Sequence, residues 1–164
     1  MYSQFRNIEL RSYEASDRAA VFELLEFLPV LYPKGHEWLD KRLGEVLNGR
    51  GRCTLAHRPG RIVGITIETP KTQTSIKLST IFVHHDFRAS GIGTSLLASR
   101  VALWRRESAR QCYVTADFRI AEQLRSFLAR FSFKERAFLR NRYGKGRHEV
   151  VFCWTSDFDQ HLPE

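Results

Sequence analysis

No apolar run in this chain is long enough to cross a membrane, because charges interrupt every candidate among its 164 residues. The opening residues, Met1-Tyr2-Ser3-Gln4-Phe5-Arg6, lack the apolar core of a signal peptide, so no secretory leader is expected. Cysteine is sparse. Cys53, Cys112 and Cys153 make an odd set with no C-x-x-C pair, and each sits in or beside an apolar, strand-like run. They read as buried, reduced thiols, and the expected compartment is the cytoplasm. Internal repeats, linkers and low-complexity tracts are absent. These absences argue against a membrane-spanning helix, a disulfide scaffold and a repeat array. What is left is an ordinary globular composition, 43% hydrophobic and 27% charged, in a chain long enough to bury one core. One domain over residues 5–155 is expected, with a frayed acidic tail over 156–164.

Carboxylates are also in short supply, 18 against 26 lysines and arginines, for a net charge of +8. The imbalance is local. Between Arg100 and Arg147 lie thirteen cations and only Glu107, Asp117, Glu122 and Glu135, so this stretch carries +9 and the remainder −1. Such segregation favours a polyanionic ligand: nucleic acid, an acidic protein face or a phosphorylated cofactor. A solvated, arginine-rich helix surface accounts for the same residues, since helices tolerate arginine well.

Periodicity sets the order of elements. Ile8, Leu10 and Tyr13 predict a first strand. Ser16-Asp17 offers an N-cap for a helix with Val21, Phe22, Leu24, Leu25 and Leu28 inward, and Pro29 is expected to end it. Tyr32-Pro33-Lys34-Gly35 reads as a turn, and a second helix runs from Glu37 to Leu47. The period then changes to a meander: Cys53–Ala56, a turn at Arg58-Pro59-Gly60, Ile62–Glu68, and Ser75–Val83. A helix over 93–107, a strand over Gln111–Thr115 and a helix over Ile120–Arg130 follow, the last with Ile120, Leu124, Phe127 and Leu128 inward. Two strands, Glu135–Asn141 and His148–Trp154, flank a glycine-containing loop. Together they predict one mixed α/β domain.

Between the third meander strand and the next helix stands Arg88-Ala89-Ser90-Gly91-Ile92-Gly93. Glycines let a backbone approach an anion closely, and a helix N-terminus presents N–H groups and a positive dipole end, so the turn suits a phosphate or pyrophosphate. A dinucleotide-binding reading would require this turn near the start of the fold, after a first strand; its position mid-chain argues against that.

The turn resembles the Arg/Gln-x-x-Gly-x-Gly/Ala motif of GCN5-related N-acetyltransferases. Its lead-in, Leu78-Ser79-Thr80-Ile81-Phe82-Val83 with His84-His85-Asp86-Phe87, is similar to that family's hydrophobic–Val–His–Pro–acidic–aromatic pattern, with His85 where proline is usual. Phe127–Phe133 is similar to its helix-to-strand junction, which usually ends Gly-Phe. The order of elements agrees from Ile8 to Trp154.

The resemblance implies a mixed, mostly antiparallel central sheet with helices on both faces, and acetyl-CoA as co-substrate without a metal. It implies that Arg88, Ala89, Ser90, Gly91, Ile92 and Gly93 cradle the pyrophosphate, with Thr94 adding a hydroxyl. Ile81, Phe82 and Val83 would pair through their main chain with the pantetheine arm, and an N–H there would polarise the thioester carbonyl. The implied reaction is direct attack of a primary amine on the thioester. The family's usual proton-donating tyrosine and its asparagine fall at Leu128 and Ala121, so neither is present. Glu68, late in its strand, and Tyr143, in the last hairpin, are the candidate catalytic groups, with Ser79, Thr80 and His148 weaker ones. His84-His85-Asp86 is too tightly spaced to read as a metal site.

The resemblance places the acceptor near Tyr32 and Lys34 of the early helices and Arg142 and Tyr143 of the final hairpin, both basic and aromatic. The expected acceptor is an amine of small-molecule, peptide or aminoacyl-tRNA type, and an acidic one suits the cationic rim. A homodimer is compatible with this reading and a membrane partner is not expected. Two function classes stay open: an acetyl-CoA-dependent N-acetyltransferase, and a non-catalytic acyl-CoA-binding or nucleic-acid-binding module on the same fold.

Overall fold

A two-residue turn, Pro59-Gly60, joins strands β2 (Arg52–Arg58) and β3 (Arg61–Pro70). Proline presets the first central position and Gly60, at φ +75°, supplies the left-handed second one. This hairpin anchors the first of two compact units in the computed structural model, which describes residues 7–156. The acidic tail predicted over 156–164, Ser156 apart, and the first two residues of the expected domain lie outside the described residues.

The first unit comprises the residues up to Thr69 together with Thr80–Leu97. Strand β1 (Glu9–Ser12) pairs antiparallel with β2, and β2 with β3. Helices α1 (Arg18–Leu24), α2 (Leu28–Leu31) and α3 (Gly35–Leu47) pack Val21, Leu24, Leu25, Leu28, Leu39 and Leu43 against Cys53, Leu55, Ile62, Ile65 and Ile67. The other face of the hairpin, Ala56 and Val63, packs under Phe87, Ile92 and Leu96. A register shift at Ala56/His57, with Val63 as the extra residue, explains why Ile62 faces the same core as Ile65 although three residues separate them. Both faces of β3 are thus covered, and Ile62 to Thr69 are all buried.

Pro29 does not end the first helix; α1 stops at Leu24 and Pro29 lies in the first turn of α2, where its missing N–H has no intrahelical partner to lose. Asp17 stands at the N-cap position of α1 without capping it. Its carboxylate is taken by the Arg11 guanidinium, at 2.8 Å through each oxygen, and by the Glu14 N–H.

The second unit comprises Pro70–Ser79 together with the residues from Ala98 onward. Strand β4 (Ser75–Val83) begins here and pairs parallel with β5 (Gln111–Asp117), which pairs antiparallel with β7 (Glu149–Thr155), itself antiparallel to β6 (Lys134–Leu139). The hydrogen-bonded order is β1-β2-β3-β4-β5-β7-β6, a mostly antiparallel seven-stranded sheet. Helix α4 (Ile92–Arg106) contributes Trp104, which meets Trp154 at 5.4 Å and Phe133 at 6.4 Å between ring centroids. Helix α5 (Phe118–Ala129) buries Ala121 and Leu128. Ile120, expected inward, is 38% exposed, because the buried stripe follows 121, 124 and 128 and leaves Ile120 on its flank.

Asp117 caps α5. Its carboxylate accepts the Arg119 N–H and two bonds from the Arg119 guanidinium, with Arg147 at 4.0 Å. These bonds hold its pKa below the ordinary carboxylate value, against burial pushing it up. A lowered pKa means that its stabilisation is complete above the unfolded value and lost as pH falls through the folded one. Asp117→Asn keeps a capping oxygen and removes the charge. In urea melts at pH 7 it should be less stable than the parent, with the gap closing as pH falls below about 3.9. A gap independent of pH would show that the charge contributes nothing.

Candidate functional site

The glycine turn lies wholly within the first unit. Strand β4 ends at Val83, and the chain is fixed there by the His84 N–H donating to the Val63 carbonyl at 2.8 Å. A single 3-10 turn, His85–Phe87, drops Phe87 into the core beneath the guanidinium groups of Arg58 and Arg61, each 5.3 Å from its ring centroid. Arg88 returns to extended backbone. Ala89 and Gly91 then take left-handed conformations, at φ +60° and +85°, which reverse the chain into α4. Glycine accepts that region freely; alanine does so at a cost of about 1 kcal/mol. The Ser90 hydroxyl donates back to the Phe87 carbonyl and pins the loop.

The turn ends in a helix start. The Ser95 N–H donates to the Gly91 carbonyl at 2.9 Å, so the N–H groups of Ile92 and Gly93 precede the first bond of that ladder. A Cβ added at Gly91 would meet nothing within 4 Å, leaving open space beside the loop. The backbone amides and the positive end of α4 are therefore presented together at an unobstructed turn.

Ile81, Phe82 and Val83 are half-buried in the last part of β4. The Arg88 side chain folds back along β4: its Nε–H donates to the Val83 carbonyl at 3.1 Å and its guanidinium lies 5.3 Å from the Phe82 ring centroid. Thr94 is exposed in the first turn of α4.

Glu68 is 3% exposed, inside β3 rather than at a solvated strand end, because the strand continues to Pro70. By alternation it shares a face with Gly64, the face that meets α4. Lys34 is the left-handed residue (φ 58°) that opens α3, and Tyr32 packs against the helical core. Tyr143 and Arg142 lie in the second unit, in the loop between β6 and β7. The Tyr143 hydroxyl donates to Glu149 at 3.3 Å; burial first, then the Glu149 charge, raises its pKa and makes it a weaker acid. His148 accepts the Asn141 N–H on Nδ1 at 3.0 Å and so holds that loop. Leu128 is fully buried in α5. Ser132, in place of the usual glycine of the helix-to-strand junction, takes the left-handed conformation (φ 67°) that glycine adopts more easily.

His84, His85 and Asp86 bring one ligand atom each within 4.8 Å of the others. His84 Nδ1 already accepts the Asp86 N–H at 3.2 Å, its Nε2 lies 3.2 Å from Arg61 Nη2, and the guanidinium charge opposes a cation there. The Cys53 thiol is pushed up to about 12, chiefly by burial, and stays protonated at neutral pH.

Sequence reasoning missed Gly64. A Cβ there would lie 3.0 Å from Leu96 Cδ1 and 3.2 Å from both Ala56 Cβ and Ile92 Cγ2, so this glycine is what lets α4 sit close on β3. A glycine inside a β-branched run was the available signal.

A family model described as an acetyltransferase (GNAT) domain matches residues 27–144. No curated relative matches the chain by sequence. Solved structures share its fold. A protein from Desulfovibrio desulfuricans assigned to the GNAT acetyltransferase family aligns with TM-score 0.79 at 20% identity, covering 90% of this chain and 98% of its own. A GNAT family acetyltransferase from Elizabethkingia anophelis, with acetyl-CoA bound, aligns with TM-score 0.71 at 16% identity, over 92% and 99%. Arabidopsis thaliana Naa50, in complex with the bisubstrate analogue CoA-Ac-MVNAL, aligns with TM-score 0.76 at 18% identity, over 92% and 99%.

Proposed function

The chain belongs to the GNAT acetyltransferase-domain family, and on that premise we propose that it is an acetyl-CoA-dependent N-acetyltransferase acting on a primary amine. The observation that carries this reading is the Arg88–Gly93 turn, with its left-handed Ala89 and Gly91 delivering the chain into the N-terminus of α4. In this reading residues 5–155 act as one catalytic domain. The amides of the turn and of the first residues of α4 hold the pyrophosphate. The main chain of Ile81–Val83 pairs with the pantetheine arm, and an N–H of that strand stabilises the oxyanion as it forms.

The acceptor must be a neutral amine to attack. Its nitrogen forms the C–N bond to the carbonyl carbon, the C–S bond breaks, and the electron pair leaves on sulfur. The proton lost from nitrogen goes to a base, and Glu68, a buried carboxylate of the first unit, is assigned that role. No side chain is assigned to protonate the leaving thiolate: Leu128 has no ionisable proton, and the acidity of Tyr143 is lowered. With a thiol pKa of about 8.5 the thiolate leaves unassisted.

Acetyl-CoA at roughly a hundred times its dissociation constant should stabilise the protein by about 2.7 kcal/mol. Thiol release should then require an added primary amine. No thermal shift at millimolar acetyl-CoA would overturn the reading. A shift without thiol release across amine, peptide and aminoacyl-tRNA acceptors would instead favour a non-catalytic acyl-CoA-binding module, which Leu128 and Ala121, both without a donatable proton, also permit.

A further inference from the structure

The last hairpin and the start of α5 form a corner in the second unit, whose loop also carries Arg142 and Tyr143, the residues expected near the acceptor. Among the described residues, four of the six exposed large apolar side chains are Phe118 (53%), Ile120, Phe138 (43%) and Tyr143 (44%). Phe118 meets Phe138 at 5.6 Å edge to face, and His148 closes the group at 5.9 Å from Phe118 and 5.2 Å from Phe138. All three rings lie in the second unit. An edge-to-face contact covers at most one face of one ring, and both phenylalanines remain about half exposed.

The surroundings are cationic. From Asp117 to Glu149 the chain has nine lysines and arginines against four carboxylates. Each carboxylate lies within about 4 Å of an arginine: Asp117 of Arg119 and Arg147, Glu149 of Arg142, and Glu122 and Glu135 of Arg125. Asp117 and Glu149 are also buried, so of the four only Glu122 and Glu135, both paired with Arg125, reach solvent, and cations outnumber acids there. The loop bearing Arg140, Arg142 and Lys145 is braced by its own backbone: the Gly146 N–H donates to Asn141 Oδ1 at 2.7 Å, the Gly144 N–H to the Asn141 carbonyl, and the Arg147 N–H to the Gly144 carbonyl. Its charges are therefore presented on an ordered frame.

Exposed aromatic faces within a cationic field match the chemistry of unpaired bases on a phosphate backbone. We propose that this corner binds single-stranded nucleic acid, with bases stacking on Phe118 and Phe138 and phosphates meeting Arg140, Arg142 and Lys145. A second copy of the chain fits less well. Two such surfaces would repel each other, and β6, last in the sheet order, carries Lys134, Arg136 and a register shift between Glu135 and Ala137 that blunt edge-to-edge pairing. The proposal does not depend on acetyl transfer.

Fluorescence anisotropy with labelled single-stranded RNA and DNA of about 12 nucleotides tests it, the two arms reporting which sugar is preferred. Saturable binding is expected, stronger than to a duplex of the same length. Combined Phe118→Ala and Phe138→Ala should weaken it about tenfold or more, while Phe118→Trp retains it. Arg140→Gln should lower the slope of log affinity on log salt by about 0.7. Phe118→Leu, which keeps an apolar side chain but no π-face, should weaken binding too, and serves if the double variant does not fold. Equal affinity for duplex with no effect of the aromatic changes would overturn the proposal. So would displacement of the oligonucleotide by coenzyme A, equal competition by polyglutamate, or a dimer lost on Phe138→Ala in a protein that binds no oligonucleotide.

Discussion

Gly93→Asp is expected to abolish the thermal stabilisation that acetyl-CoA confers, while leaving the protein folded. Gly93 is the second residue of α4. An aspartate in the first turn of a helix is favourable in itself, by about 0.3–1 kcal/mol, so unfolding is not the expected outcome. Its carboxylate stands where the amides would face the pyrophosphate. Two unit charges about 4 Å apart near a protein surface repel by about 4 kcal/mol. That exceeds the roughly 2.7 kcal/mol gained at a hundredfold excess of ligand, so repulsion wins. Gly93→Ala adds no charge and fits the Gly/Ala alternative of the motif, and it should keep the shift. Melting curves with and without acetyl-CoA decide the matter. A full shift in the aspartate variant would remove the turn from the cofactor site.

Gly64→Val should cost about 3 kcal/mol of stability and weaken acetyl-CoA binding as well. The valine Cβ alone would sit 3.0–3.2 Å from Leu96, Ala56 and Ile92 atoms, and two further methyl groups have no space. Overpacking of this kind costs about 1–3 kcal/mol and occasionally more. The better strand propensity of valine returns at most about 1 kcal/mol, so the clash dominates. Relief requires α4 to move off β3, and Ile92 is the first residue of that helix, next to the turn. The two effects are therefore coupled. Urea denaturation gives the first and the acetyl-CoA thermal shift the second. A stable variant with unchanged cofactor response would show that close seating of α4 does not matter.

The anion-binding turn was legible because its determinants are local: two glycines, a strand before and a helix after, within sixteen residues. The helix bounds were legible to within a few residues for the same reason. Pro29 was misread because a proline can open a helix as well as close one, and only the packing of Leu28 into the core selects between them. Ile120 was misread because one residue of rotation, about 100°, separates the core stripe from its flank. Glu68 reads as a strand-end side chain in sequence, yet the strand runs on to Pro70 and Glu68 is buried inside it.

By itself the sequence determined the α/β class, the order of elements, the turn that suits a pyrophosphate and the concentration of cations in its second half. Each of these is set by residues near one another in the chain. The tertiary structure alone decided that Gly64 seats α4, that Glu68 is buried, and that Phe118, Phe138 and His148, separated by up to thirty residues, meet as one exposed aromatic group. Those facts depend on strand register and on which helix covers which face, and contacts between distant segments fix both.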